Sequence, residues 1–158
     1  VLAVGLLGLA AVLAAGLTKL AAAPADLLAR QKATEAVESV YAARDTRVLG
    51  WSQIRNVNGG SGADGGIFLD GPQPLRTPGP DGLVNTADDG GVETLVEPGP
   101  DGLLGTADDI ATPLSQYTRE IEIRDVNSTL RRLTVTIRVK GAQGERSYVL
   151  VTLVSSYA

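Results

Sequence analysis

The chain has 158 residues, no Cys and no His, and a formal net charge of −4 from 14 basic and 18 acidic side chains. That excludes disulfides, thiolate zinc sites, imidazole metal centres and any catalytic relay built on His. The mildly acidic balance argues against a nucleic-acid partner. Glycine (19) and proline (8) concentrate in the middle third, which divides the chain into a structured start, a loop-rich middle and a structured end.

The segment 1–23 carries one charge, Lys19, and 1–18 carries none. Leu and Ala dominate it, and a run of about 20 apolar residues matches the length of a bilayer-spanning helix. Three readings compete: a signal-peptide core, which is usually shorter and follows a basic flank, a plain membrane anchor, and a helix that is first held in lipid and then buried among copies of itself. Gly5, Gly8 and Gly16, set among Ala residues, would let such helices approach closely. Pro24 predicts a kink or a local break. Beyond it Leu28, Ala29, Ala33, Ala36, Val37, Val40 and Tyr41 recur near a 3.6 period, the mark of an amphipathic helix reaching to about residue 48.

This arrangement resembles the N-terminal helix of type IV pilins and of type II secretion pseudopilins. The run 1–13 looks like the segment that follows the prepilin-peptidase site, with Pro24 at a helix-breaking proline of the family and 30–44 similar to the amphipathic half. The final run, 148–158, looks like the last strand of minor pilins. The family's methylated first residue and the Glu at its fifth mature position do not occur, and the sequence reads as starting just after that Glu. The resemblance implies an α+β fold in which a long N-terminal helix, apolar then amphipathic, packs on a small antiparallel β-sheet head. It implies a filament core made by Val1, Val4, Gly5, Gly8, Val12, Gly16 and Pro24. It also implies the inner membrane before assembly, a pilus assembly machinery as partner, and then an extracellular helical homopolymer.

In the middle, 66–70 reads as a short strand between loops. A near-exact repeat follows: 78–89 (PGPDGLVNTADD) and 98–109 (PGPDGLLGTADD) agree at ten of twelve positions, 20 residues apart. Pro presets φ and Gly accepts φ > 0, so each copy begins with a turn. An Asp in that turn, backbone carbonyls and an Asp pair seven residues on are oxygen donors of the kind Ca²⁺ takes, about 6–8 at a time. The plainer alternative is that these Asp side chains cap their own turns. The loop resembles the calcium loop of major pseudopilins. That makes Asp81, Asp88, Asp89, Asp101, Asp108 and Asp109 candidate ligands, with the carbonyls of Leu83 and Leu103 beside them.

At the end, 117–124, 130–140 and 147–154 alternate as strands separated by turn signals, an antiparallel meander with one face over the helix stripe. Arg131, Arg132, Arg138 and Lys140 read as a basic cluster on a solvated strand face. Asn127-Ser128-Thr129 is a glycosylation sequon. The chain therefore divides as 1–24, apolar helix; 25–50, amphipathic continuation; 51–116, loop region with the repeats; and 117–158, sheet. The expected function is that of a structural filament subunit without catalysis. The alternatives are a minor pilin or pseudopilin, and a membrane-anchored calcium-binding or adhesive module.

Overall fold

The structure is a computed structural model that describes residues 2–58, 65–141 and 144–157, with side chains from residue 24 onward. Helix α1 spans Leu2–Asp45, and the helical assignment continues through Pro24. The strands are β1 (Gln73–Pro74), β2 (Thr94–Glu97), β3 (Ile110–Pro113), β4 (Tyr117–Asn127), β5 (Leu130–Gly141) and β6 (Gly144–Ser155). They form a four-stranded sheet in the order β1-β4-β5-β6 and a separate β2-β3 hairpin, all antiparallel.

A long helix on a small head is not what this structure shows. Over the residues with described side chains there is one short helical stretch, the 22 residues 24–45, and the protein is mostly antiparallel sheet. The reason lies in backbone pairing. Strands β4, β5 and β6 reach 11, 12 and 12 residues because their ladders continue past the last apolar side chain into charged and exposed ends. The loop-rich middle adds β1, β2 and β3. The filament-core positions Val4, Gly5, Gly8, Val12 and Gly16 have side chains outside the described residues, and Val1 lies outside them altogether. Pro24 is exposed. Among the described residues no helix is long and apolar enough to cross a membrane.

From Ala29 to Ala43 the helix buries Ala29, Ala33, Ala36, Val37, Val40 and Ala43 against the sheet. Four of these are Ala, which lets the backbones come close. The helix runs alongside the edge strand β6. Asp26 pairs with Arg146 at 3.0 Å, Arg30 lies over the Tyr148 ring, Tyr41 Oη donates to Leu153 O at 2.8 Å, and Arg44 donates to Ser155 O. The lengths agree: 26 to 44 is roughly 27 Å of helix at about 1.5 Å per residue, and 146 to 155 is roughly 30 Å of strand at about 3.3 Å per residue. Tyr41 and Arg44 thereby occupy backbone carbonyls that an edge strand would otherwise offer to a stranger. The helix stops where Arg47 takes a left-handed φ of 59° and the Leu49 amide bonds back to Ala43 O at 3.0 Å.

On the sheet, Tyr117, Ile121 and Ile123 of β4 and Leu133, Val135, Ile137 and Val139 of β5 face the helix and form the core with Ile54, Phe68, Leu75 and Leu83. Arg131 departs from the sequence reading. It lies in phase with Leu133 on the inner face and is 1% exposed, whereas Arg132, Arg138 and Lys140 alternate with it on the outer face. The expected strand at 66–70 is a single parallel bridge, Asn56 to Phe68. Gly66 is required there, because a Cβ on it would sit 1.9 Å from Arg55 O. Gly66→Ala is expected to cost about 1–3 kcal/mol by overpacking, measured as a lower urea midpoint at unchanged m-value.

Candidate functional site: two copies of one turn and a charged seat

Each repeat copy closes a short antiparallel ladder. The first ends the pairing of Thr77 with Gly90 and Gly91 and the bridge of Arg76 with Val92; the second sits at the end of β2-β3. They share a set of internal bonds. Gly82 N and Gly102 N donate to Gly79 O and Gly99 O, each at 3.0 Å, with φ of 75° and 71° at the donating glycines. Asp81 Oδ1 accepts from Leu83 N and Asp101 Oδ1 from Leu103 N, each at 2.8 Å. Asp89 accepts from Asn85 N at 2.8 Å and Asp109 from Gly105 N at 2.7 Å. Thr86 and Thr106 hydroxyls donate to Asp88 and Asp108 at 2.8 and 2.7 Å. The Thr106 hydroxyl, then the Asp101 amide, hold the Asp108 carboxyl below the usual carboxylate range.

Both turns thus direct their carboxylates at their own backbone. The Leu83 carbonyl accepts from Gly79 N and the Leu103 carbonyl from the Thr106 hydroxyl. Among the described residues no group of three or more carboxylates is placed to hold a metal ion. As arranged, Asp81, Asp88, Asp89, Asp101, Asp108 and Asp109 all accept hydrogen bonds from their own turns.

The two copies differ in their surroundings. Leu83, Val84, Asn85 and Thr86 are buried in the first; Leu103, Leu104 and Gly105 are exposed in the second. The repeat departs from identity at the two positions that register this. Asn85 holds a left-handed φ of 61°, which favours Gly, and Gly105 holds 87°. Asn85 is kept because its amide is used: Nδ2 donates to Arg119 O at 2.9 Å and Oδ1 accepts from Arg119 Nε at 2.7 Å.

Arg119 anchors a charged seat under the first turn. It is 1% exposed and in phase with Ile121 and Ile123 on β4, and it donates to Arg76 O at 3.0 Å and lies 3.5 Å from Glu93. Glu93, also buried, pairs with Lys32 at 2.6 Å, and Lys32 reaches Glu35 at 2.8 Å. Burial alone would lower the Lys32 ammonium, but bonds to Glu35 and then Glu93 outweigh it and raise the group. Burial lowers the Arg119 guanidinium against the pull of Glu93 and Asp89. A cavity of about 130 Å³ lies against Lys32, Glu35, Thr77, Pro78, Glu93 and Arg119. It is smaller than the roughly 300–1,000 Å³ of ordinary ligand pockets. A wider groove of about 440 Å³ runs past Arg44, Arg47, Trp51 and Tyr157.

A second cluster holds the turn after α1. Arg131 donates to Asp125 at 2.7 Å, to Ile54 O at 2.8 Å and to Trp51 O, and its guanidinium lies 3.9 Å from the Trp51 ring centre. Arg55 pairs with Asp125 at 2.9 Å. Burial would raise the Asp125 carboxyl, but the bond and charge of Arg131, then Arg55, hold it below the ordinary range. A depressed carboxylate contributes stability above its unfolded pKa of about 3.9 and loses it as pH falls through the folded value. Wild type is therefore expected to lose stability below about pH 4 more steeply than Asp125→Asn, in urea midpoints taken across pH. The sequon residue Asn127 is exposed at the β4-β5 turn, its Oδ1 accepting from Thr129 N at 2.9 Å.

No family model, curated protein or solved structure matches this chain. The half-buried Lys32 and the buried Arg119 and Arg131 were not singled out as site residues from the sequence. Strand parity was the available signal for the two arginines, and Lys32 had none beyond its place in the helix.

Proposed function

We propose that this chain is a structural subunit of an extracellular type IV pilus-like filament, polymerising through the apolar start of its helix. One observation carries the reading. The helix that lays Ala29 to Ala43 on the sheet is continuous in sequence with residues 1–18, which hold no charge. The first part has a partner in its own chain. An uncharged run of that length needs lipid or copies of itself. In this reading the inner membrane holds 1–24 before assembly, a pilus assembly machinery extracts the subunit, and the sheet is displayed outside.

The test is electron microscopy of filaments sheared from the source cells, with mass spectrometry of their subunit. This chain as the main component supports the proposal. Its presence in trace amounts makes it a minor pilin or pseudopilin. Its absence from filaments and recovery in the membrane fraction makes it a tethered module and sinks the polymer.

Calcium has no required part in this reading. An ion present at about a hundred times its Kd would add about 2.7 kcal/mol to the stability. Because the turns bond internally, millimolar calcium added to chelator-treated protein is expected to leave the thermal midpoint unchanged. A rise of several degrees would show an ion drawing the Asp carboxylates together.

A further inference from the structure

The first copy of the repeat displays what this turn is built to bury: a pair of aliphatic side chains, Leu83 and Val84, against an arginine that also feels the charge of Asp89. The second copy repeats the turn and carboxylate bonds shared by both, but Leu103 is 63% and Leu104 66% exposed, and Ile110 and Val96 of the hairpin are exposed as well. Among the described residues nothing covers the pair. Around it stand Glu97, Asp101 and Asp108, all exposed.

The molecule carries a matching surface elsewhere. On the sheet face turned away from the helix, β6 presents Val149, Val151 and Leu153, each a little over half exposed. Their cross-strand neighbours on β5 are Thr136, Thr134 and Arg132. Arg132 is exposed, and among the described residues no carboxylate pairs with it within 4.0 Å.

We infer that the second turn is a plug that seats on the β6 strip of a neighbouring copy of this chain, with Leu103 and Leu104 over Val149, Val151 and Leu153 and the turn carboxylates facing Arg132. Charge selects this pairing. Plug against plug sets like carboxylates together, whereas plug on strip brings the turn carboxylates to Arg132, since the carboxylates on that sheet face, Glu120 and Glu122, already pair with Arg138 and Arg124. The two patches are different surfaces of one chain, so the contact can be handed head to tail from copy to copy, forming an open filament where the rotation between copies does not close. The inference goes beyond the helix-driven polymer, since it uses none of residues 1–24.

The chain has no Cys, so introduced thiols report one contact only. Full-length Ala107→Cys and Thr134→Cys proteins are mixed in detergent micelles and treated with a short bismaleimide. The expected product is the mixed dimer, with neither single variant forming its own dimer at comparable yield. Adding Leu103→Ser and Leu104→Ser to the first protein, or Arg132→Glu to the second, should reduce the yield at least tenfold. These changes are at exposed sites, and circular dichroism checks that folding is kept. Absence of the mixed dimer, or equal homodimers of Ala107→Cys, overturns the inference. Filaments without the cross-link sink the plug and leave the polymer standing; the cross-link without filaments does the reverse.

Discussion

Arg119→Met is expected to lower unfolding stability by about 3–5 kcal/mol, the scale for breaking a buried ion pair from one side. The substitution keeps most of the volume and removes only the guanidinium. Glu93, 8% exposed, loses one of its two cations, and Asn85 Oδ1 loses its donor, leaving only the Nδ2 bond to the carbonyl of residue 119. The Arg76 carbonyl loses a donor as well. Urea unfolding followed by the single Trp, Trp51, measures the loss. The companion Arg119→Met/Glu93→Gln variant should recover part of it, because the buried carboxylate, left with Lys32 alone, is then neutral. If the single variant is as stable as wild type, the seat under the first turn is not holding it.

Arg131→Met is expected to cost about 3–4 kcal/mol, assembled from different parts. Two carbonyls, of Trp51 and Ile54, lose their donor, and each unsatisfied buried acceptor costs about 1–3 kcal/mol. The stack on Trp51 contributes up to about 2 kcal/mol where it is desolvated. Asp125 offsets part of the loss, since it keeps Arg55 and reaches solvent. Trp51 emission should shift in the folded state of this variant and not in Arg119→Met. Stability within about 0.5 kcal/mol of wild type, the range of ordinary surface changes, would mean that the guanidinium is replaceable by apolar volume.

Parts of this were legible in the sequence. The stripe from Ala29 to Val40 and the alternation of Leu133, Val135, Ile137 and Val139 are burial patterns, and burial follows periodicity closely. The same alternation placed Arg131 and Arg119 on the inner face. Reading charge ahead of parity put Arg131 on the surface, and only the carbonyls of Trp51 and Ile54, distant in sequence, make its burial tolerable. The strands β2 and β3 were hidden because all eight of their residues are exposed, which leaves no alternation to see. The repeat disclosed two equal turns. Their unequal surroundings were written only in Asn85 against Gly105, and that difference acquires meaning once Arg119 is in view.

The partnership of α1 with β6 joins the first element to the last: Tyr41 and Thr152 are 111 positions apart, and their hydroxyls lie 2.8 Å from one another. During synthesis the Ala29–Ala43 stripe therefore waits for almost the whole remaining chain before it can be covered. A ribosome that stops short of β6 releases a helix with its sticky side bare, a form that chaperones and proteases recognise. Placing the last strand over the first helix makes synthesis of β6 a condition of covering that stripe.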